Sequence, residues 1–176
     1  MLHFILSVLF FLNLGIASNP ELTLTPEEKK LYKIITEYRQ QHNLPKIPLY
    51  RTLTYVAKLH VRDLHQNRPE GGKCNMHSWS DKGKWSACCY TDDHENAECM
   101  WNKPRELTTY KGNGYEIAYG AYGFNANADG ALKGWKGSPG HNQVILNQGI
   151  WKDADWKGMG VGIYGGYAVV WFGEVK

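Results

Sequence analysis

Four cysteines, Cys74, Cys88, Cys89 and Cys99, fall within 26 residues of one another in the least periodic stretch of a 176-residue chain. A short segment cross-linked this densely can stay ordered without a core of its own. An even, local set of cysteines in an exported chain reads as two disulfides. Adjacent cysteines rarely bridge each other, because the small ring strains both the disulfide and the peptide between them. Two pairings stay open: Cys74–Cys88 with Cys89–Cys99, or Cys74–Cys89 with Cys88–Cys99. The competing use of four thiolates, a structural zinc, is disfavoured because the spacing lacks two C-x-x-C knuckles.

Export is suggested by the N-terminus. The uncharged run Phe4–Leu12 has the length of a signal-peptide core and is short for a membrane span. Gly15-Ile16-Ala17 supplies small residues before a cleavage point near Ala17 or Ser18. Residues 1–17 are therefore expected to be a signal peptide, 18–26 a lead-in and 27–176 one domain, in a secreted or periplasmic protein. An uncleaved anchor is the alternative. After this run no stretch is long and apolar enough to span a bilayer. The formal net charge is only +3, with Lys and Arg interleaved with Asp and Glu. Nucleic-acid binding has no electrostatic support in that pattern.

The periodic segments give an order of elements. Thr25-Pro26-Glu27-Glu28 is a helix start with a capping box and a first-position proline. Leu31, Ile34, Ile35 and Tyr38 then share one face, and the helix should fade near Asn43. A second helix starts near Thr52, with Leu53, Val56, Ala57, His60, Val61 and Leu64 inward. From 66 to 114 the period is lost, and the cysteines are expected to staple this loop. Asn127 or Asp129 can open a third helix with Leu132 and Trp135 inward. Ser138-Pro139 can cap a short fourth. Two β-prone runs, Met159–Tyr164 and Tyr167–Phe172, flank Gly165-Gly166, a strong hairpin signal. The expected fold class is α/β: a single-domain α-β-α sandwich with a small antiparallel sheet flanked by helices.

These elements, in this order, resemble the CAP superfamily of cysteine-rich secretory, antigen 5 and pathogenesis-related proteins, and most closely its short bacterial members. The residues that carry the resemblance are Glu37-Tyr38-Arg39, the Leu44–Leu49 exit, Met76-His77-Ser78, Gly114–Gly120, the run Trp135–Asn147 containing Ser138, Gly140 and His141, and the closing Gly160-Val161-Gly162 and Trp171-Phe172-Gly173. It implies a central cleft holding His77, His141 and Glu116. The family's second glutamate falls at Ser138, and the asparagine after the motif glutamate is replaced by Ile117. The four-residue cluster of larger members is thus incomplete.

Two imidazoles and a carboxylate are the usual ligands of a catalytic zinc. His77 and His141 are candidate ligands of zinc or another divalent cation, and Glu116 is the candidate catalytic base or third ligand. His141, in the first turn of a helix capped by Ser138, would be kept neutral and metal-competent by the helix dipole. Glu116, between Tyr115 and Ile117, is expected to have a partner rather than to be solvated. His60 reads as a satisfied core histidine. Asp92–Asn96 with Glu98 lacks the alternation of a calcium loop and reads as a solvated patch. Ser78, Ser80 and Ser138 show no nucleophile-elbow pattern. Trp79, Trp85, Trp101, Tyr110, Tyr115, Tyr119 and Tyr122 cluster around the long loop, either packing over the disulfides or forming a wall for a lipid or glycan. The function expected first is a non-catalytic binding domain with a metal or small, lipid-like ligand in the cleft and a lipid, glycan or protein partner. A metal-dependent hydrolase and a structural envelope protein are the alternatives.

Overall fold

The computed structural model describes residues 23–174, so the signal-peptide reading of 1–17 lies outside the described residues. The elements run α1 (Pro26–Gln41), α2 (Arg51–Asn67), α3 (Ala97–Leu107), β1 (Gly114–Gly120), α4 (Ala128–Gly137), α5 (Pro139–Ile145), β2 (Gly158–Tyr164) and β3 (Tyr167–Gly173). Helix α1 opens with the expected capping box: the Thr25 hydroxyl accepts from the Glu28 N–H at 3.2 Å, and the Glu28 carboxylate accepts from the Thr25 N–H at 2.8 Å. It ends before Asn43, which takes a left-handed φ of 58°.

The hairpin forms where Gly165-Gly166 stands, with Gly165 at φ 55°. Its second strand is central, because β1 adds antiparallel to the other edge of β3 and gives the order β1-β3-β2. One face of this sheet is covered by α1, α4 and α5, with Leu31, Ile35, Ile117, Trp135, Val161 and Phe172 in the core between them. The other face is covered by α2 and α3 over Leu53, Val61, Leu64, Ala118, Val169 and Trp171. This is the α-β-α sandwich anticipated from the sequence.

Helix α2 lies unusually close to the sheet. A Cβ on Gly160 would run into the backbone of Leu53, and one on Gly162 would come within 2.6 Å of the Ala57 carbonyl oxygen. The alternating glycines of β2 thus leave a groove that takes the helix backbone itself.

Two elements were not anticipated. Residues 66–114 were expected to be a stapled loop, yet α3 lies within them. Its apolar face is short (Ala97, Met100 and Pro104), its N-cap side chain makes no capping bond, and Pro104 sits inside the helix, so the usual signals are missing. Strand β1 was hidden because its alternation is inverted. Ile117 faces one core, while the carboxylate of Glu116 occupies a buried position on the other face.

The disulfides are Cys74–Cys89 and Cys88–Cys99, with Cα separations of 5.0 and 6.0 Å, which excludes the other pairing and the zinc reading. No described cysteine is free. The first bridge closes the segment carrying His77, Ser78 and Trp79. The second ties that segment to α3. Loops of this size constrain the unfolded chain by about 3 kcal/mol each in the chain-entropy model. Reduction is therefore expected to lower the melting temperature by well over 5 °C in calorimetric scans with and without reductant, and coincident scans would contradict the stapling role. Gly160→Ala should destabilise the oxidised protein by about 1–3 kcal/mol in urea unfolding, because the Leu53–Thr54 backbone of α2 leaves the methyl no room.

Candidate functional site

The site is built on the sheet face beneath α2. Glu116 points from edge strand β1 into this layer and is buried, with both carboxylate oxygens occupied by imidazoles. His60, from the inner face of α2, places Nδ1 2.5 Å from Oε2. His77, from the disulfide-closed segment, places Nδ1 2.8 Å from Oε1. The backbone N–H of Glu116 meets the Met100 sulfur of α3 at 3.3 Å. Three pieces of chain, α2, the stapled segment and β1, thus meet at one carboxylate, and α3 meets the backbone that carries it.

His60 is fully buried, and its ring stacks on Trp79 at 4.2 Å with the planes 7° apart. Its Nε2 lies 2.9 Å from the carbonyl oxygen of Ser78. A carbonyl can only accept, so Nε2 must carry a proton. Burial alone would depress the His60 imidazolium, but the Glu116 carboxylate, the Ser78 carbonyl and Asp63 outweigh it and hold its pKa above the ordinary value. Conversely, burial would raise Glu116, and the charge and N–H of His60, then His77, hold it below. The pair is therefore an ion pair, imidazolium against carboxylate, with the second carboxylate oxygen left to accept from His77. In that contact a neutral His77 is the Nδ1–H tautomer, and its Nε2 lone pair is free.

The stapled segment is itself pinned. The His77 N–H donates to the Asn75 side chain at 3.1 Å, the Asn75 N–H to the Tyr90 carbonyl at 2.8 Å, and the Tyr90 N–H to the Ser78 hydroxyl at 2.9 Å. The His77 ring also meets Tyr90 edge-on at 5.2 Å.

His141 stands in the first turn of α5. It is half-buried and makes no hydrogen bond among the described residues. Burial, then the nearby His77, push its imidazolium below the ordinary value, with Glu116 opposing. The causes are thus desolvation and a neighbouring imidazole rather than the helix end. Ser138 occupies the N-cap position of α5, but its side chain makes no capping bond. Ser138 and His141 border a cleft of about 390 Å³ whose walls are apolar: Met76, Ala118, Tyr119, Phe124 and Trp135.

The structure thus joins Glu116 to His77 and leaves His141 apart on the apolar cleft, near enough for the charge of His77 to be felt there. Glu116 does not turn toward His141. Among the described residues, no group of three or more His, Cys, Asp or Glu side chains is arranged to hold a metal ion. The expected donor set of His77, His141 and Glu116 is therefore not gathered around one point among the described residues.

His60 was read as a satisfied core histidine, and it is both buried and saturated. What that reading missed is the identity of its partner. A fully buried imidazole needs two polar partners, and a carboxylate flanked by apolar residues needs a cation. Put together, the two requirements could have paired His60 with Glu116.

Of the aromatic residues around the loop, Trp79 and Tyr110 are buried in the core, whereas Tyr122 is 60% exposed. They form no single wall. In the Asp92–Glu98 patch, Asp92 and Asp93 bond local loop groups at the surface.

The ion pair fixes a pH dependence. The depressed pKa of Glu116 contributes stability above its ordinary value of 4.5, and this is lost as pH falls through the folded value. The raised pKa of His60 contributes stability below its ordinary value of 6.5, and this is lost as pH rises through the folded value. Both contributions are complete only between 4.5 and 6.5. Glu116→Gln leaves His60 buried without its counter-charge and should cost about 3–5 kcal/mol. The stability difference between wild type and this variant should be greatest in that window and shrink on either side, as read by denaturant melts across pH.

No family model matches the sequence, and no curated protein matches it. Solved structures do. An extracellular SCP-domain protein of Bacillus anthracis superposes with a TM-score of 0.56 at 17% identity, over 86% of this chain and 44% of that one. An outer surface protein of Borrelia burgdorferi gives 0.57 at 20% identity, over 88% and 97%. A cysteine-rich secretory protein of Staphylococcus aureus gives 0.51 at 16% identity, over 91% and 41%. The chain spans less than half the length of the Bacillus and Staphylococcus proteins and matches nearly all of the Borrelia one. With its helices on both faces of a three-stranded antiparallel sheet, this chain has the CAP (SCP) fold.

Proposed function

We propose that this protein is a non-catalytic binding domain acting outside the cytoplasm, whose cleft takes a small apolar ligand with Ser138 and His141 at its polar edge and His77 next to its Met76 wall. The observation that carries this reading is the division of labour in the site. Glu116 spends both oxygens on imidazole N–H groups, so it orients His77 rather than activating water, and the free space lies instead against apolar side chains. The hydrolase alternative requires a carboxylate facing the reacting centre. Export is supported by the two disulfides, by the apolar N-terminus, and by the extracellular and outer-surface descriptions of the structural neighbours. No described helix is long and apolar enough to cross a membrane.

The second part of this reading is that a divalent cation such as zinc is held by His77 and His141. Glu116 would then be the outer carboxylate that fixes the tautomer of a ligating histidine, a contact worth about 10–100-fold in metal affinity where it has been removed.

Calorimetric zinc titration and displacement of 1-anilinonaphthalene test the two halves separately. His77→Ala and His141→Ala should abolish zinc binding while leaving the apolar probe bound. Phe124→Ser, at the cleft rim, should weaken the probe several-fold and leave zinc unchanged. If wild type binds neither, the cleft reading fails and a structural role is favoured.

A further inference from the structure

We infer that the outer face of α2, together with the tip of the β2–β3 hairpin, is a binding surface for a uronic-acid polysaccharide, independent of the cleft. In the sequence the basic residues are interleaved with acids and no stripe is visible. The fold separates them. Arg51, Tyr55 and Arg62 are exposed at i, i+4 and i+11 along α2, and Arg68 is exposed at its left-handed C-cap. The one acid in α2, Asp63, is buried and bound by Ser80 and Asn67. Lys58, on the same side, is already paired with Glu28. Among the described residues, Arg51, Arg62 and Arg68 have no carboxylate within salt-bridge distance. This face is therefore cationic, with the neighbouring Glu70 carboxylate engaged by the buried Tyr167 hydroxyl.

Two of those guanidiniums lie over exposed aromatic rings. Arg68 is 4.4 Å from the centroid of Tyr122, and Arg62 is 5.8 Å from that of Tyr164. His65 stands beside both rings, 5.2 Å edge-on to Tyr164 and 6.3 Å from Tyr122. Tyr122 and Tyr164 remain 60% and 41% exposed. The loop carrying Tyr122 is held to the hairpin turn by bonds from Ala121 N–H to the Gly166 carbonyl and from Ala126 N–H to the Gly165 carbonyl, at 3.1 and 3.2 Å. The rings are thus positioned before any ligand arrives.

Guanidinium forks pair bidentately with carboxylates, and flat tyrosine faces accept the apolar C–H faces of sugar rings. A ligand using both must alternate carboxylate and pyranose surface. The 17-residue helix is about 25 Å long, so the basic positions suit an extended chain rather than a single small anion. A neutral glycan would leave the three unpaired guanidiniums unused. Duplex nucleic acid would be gripped by only three free cations on a protein of small net charge.

The test is affinity electrophoresis of the mature protein through polygalacturonate, dextran or duplex DNA, at low and physiological salt. Retardation by polygalacturonate that weakens with salt is expected, with none by dextran. Arg62→Gln/Arg68→Gln should weaken it at least about tenfold, and Tyr122→Ala/Tyr164→Ala about 2–10-fold with the salt dependence retained. Both variants alter exposed side chains, so unchanged melting temperature and zinc titration will show that fold and cleft are intact. Equal retardation by dextran, stronger retardation by DNA, undiminished binding by the arginine variant, or no polygalacturonate binding at low salt would each overturn the proposal.

Discussion

The depth at which α2 sits on the sheet governs the rest of the molecule. Because Gly160 and Gly162 give the helix backbone direct access to β2, the inner face of α2 reaches further into the layer than side-chain packing alone would allow. His60 is carried down with it, across β3 toward the edge strand. There its ring fills the space between Trp79 and the carboxylate of Glu116. The buried charge pair is thus a consequence of a glycine pattern in a different element. Close packing makes such coupling stiff, since neither helix nor strand has a lower-cost place to move.

The charge pair in turn decides what the cleft can do. A lone buried carboxylate would raise its own pKa and lose its charge. With an imidazolium on one oxygen, Glu116 stays ionised and keeps its other oxygen for His77. The imidazolium offsets the carboxylate's charge, and the pair's effect on His77 is directional: it turns one ring and fixes one tautomer. His141 has no comparable partner and is shaped by desolvation instead. His77 is thus oriented by a carboxylate, whereas His141 is shaped by burial.

Much of this was legible in the sequence where local signals were intact. The capping box at Thr25, the apolar periods of α1 and α2 and the Gly165-Gly166 turn led to the observed elements and to the fold class. Helix α3 was not legible because Pro104 and an uncapped start disguise an eleven-residue helix held by a disulfide and by packing of Met100 rather than by propensity. Strand β1 was not legible because its buried face carries the functional carboxylate. A residue placed for its chemistry breaks the hydrophobic alternation by which strands are recognised. His60 shows the reverse. It fitted the core pattern so well that its role in the charge pair was invisible until the partner strand was in place. Which of the two adjacent cysteines reaches back to Cys74 was equally beyond spacing, since both pairings close loops of similar size.

That split has a consequence for when the site exists. Cys88 and Cys89 lie side by side yet fasten in opposite directions, one back to Cys74 and one forward to α3, with His77 and Ser78 inside the first span. The contacts of the charge network are therefore set by one span: His77, the Ser78 carbonyl that meets His60 and the Trp79 ring that stacks on it all lie between Cys74 and Cys89. Reduction would loosen all three together, so the surroundings of the buried pair, and not only its third member, are expected to depend on an oxidising milieu.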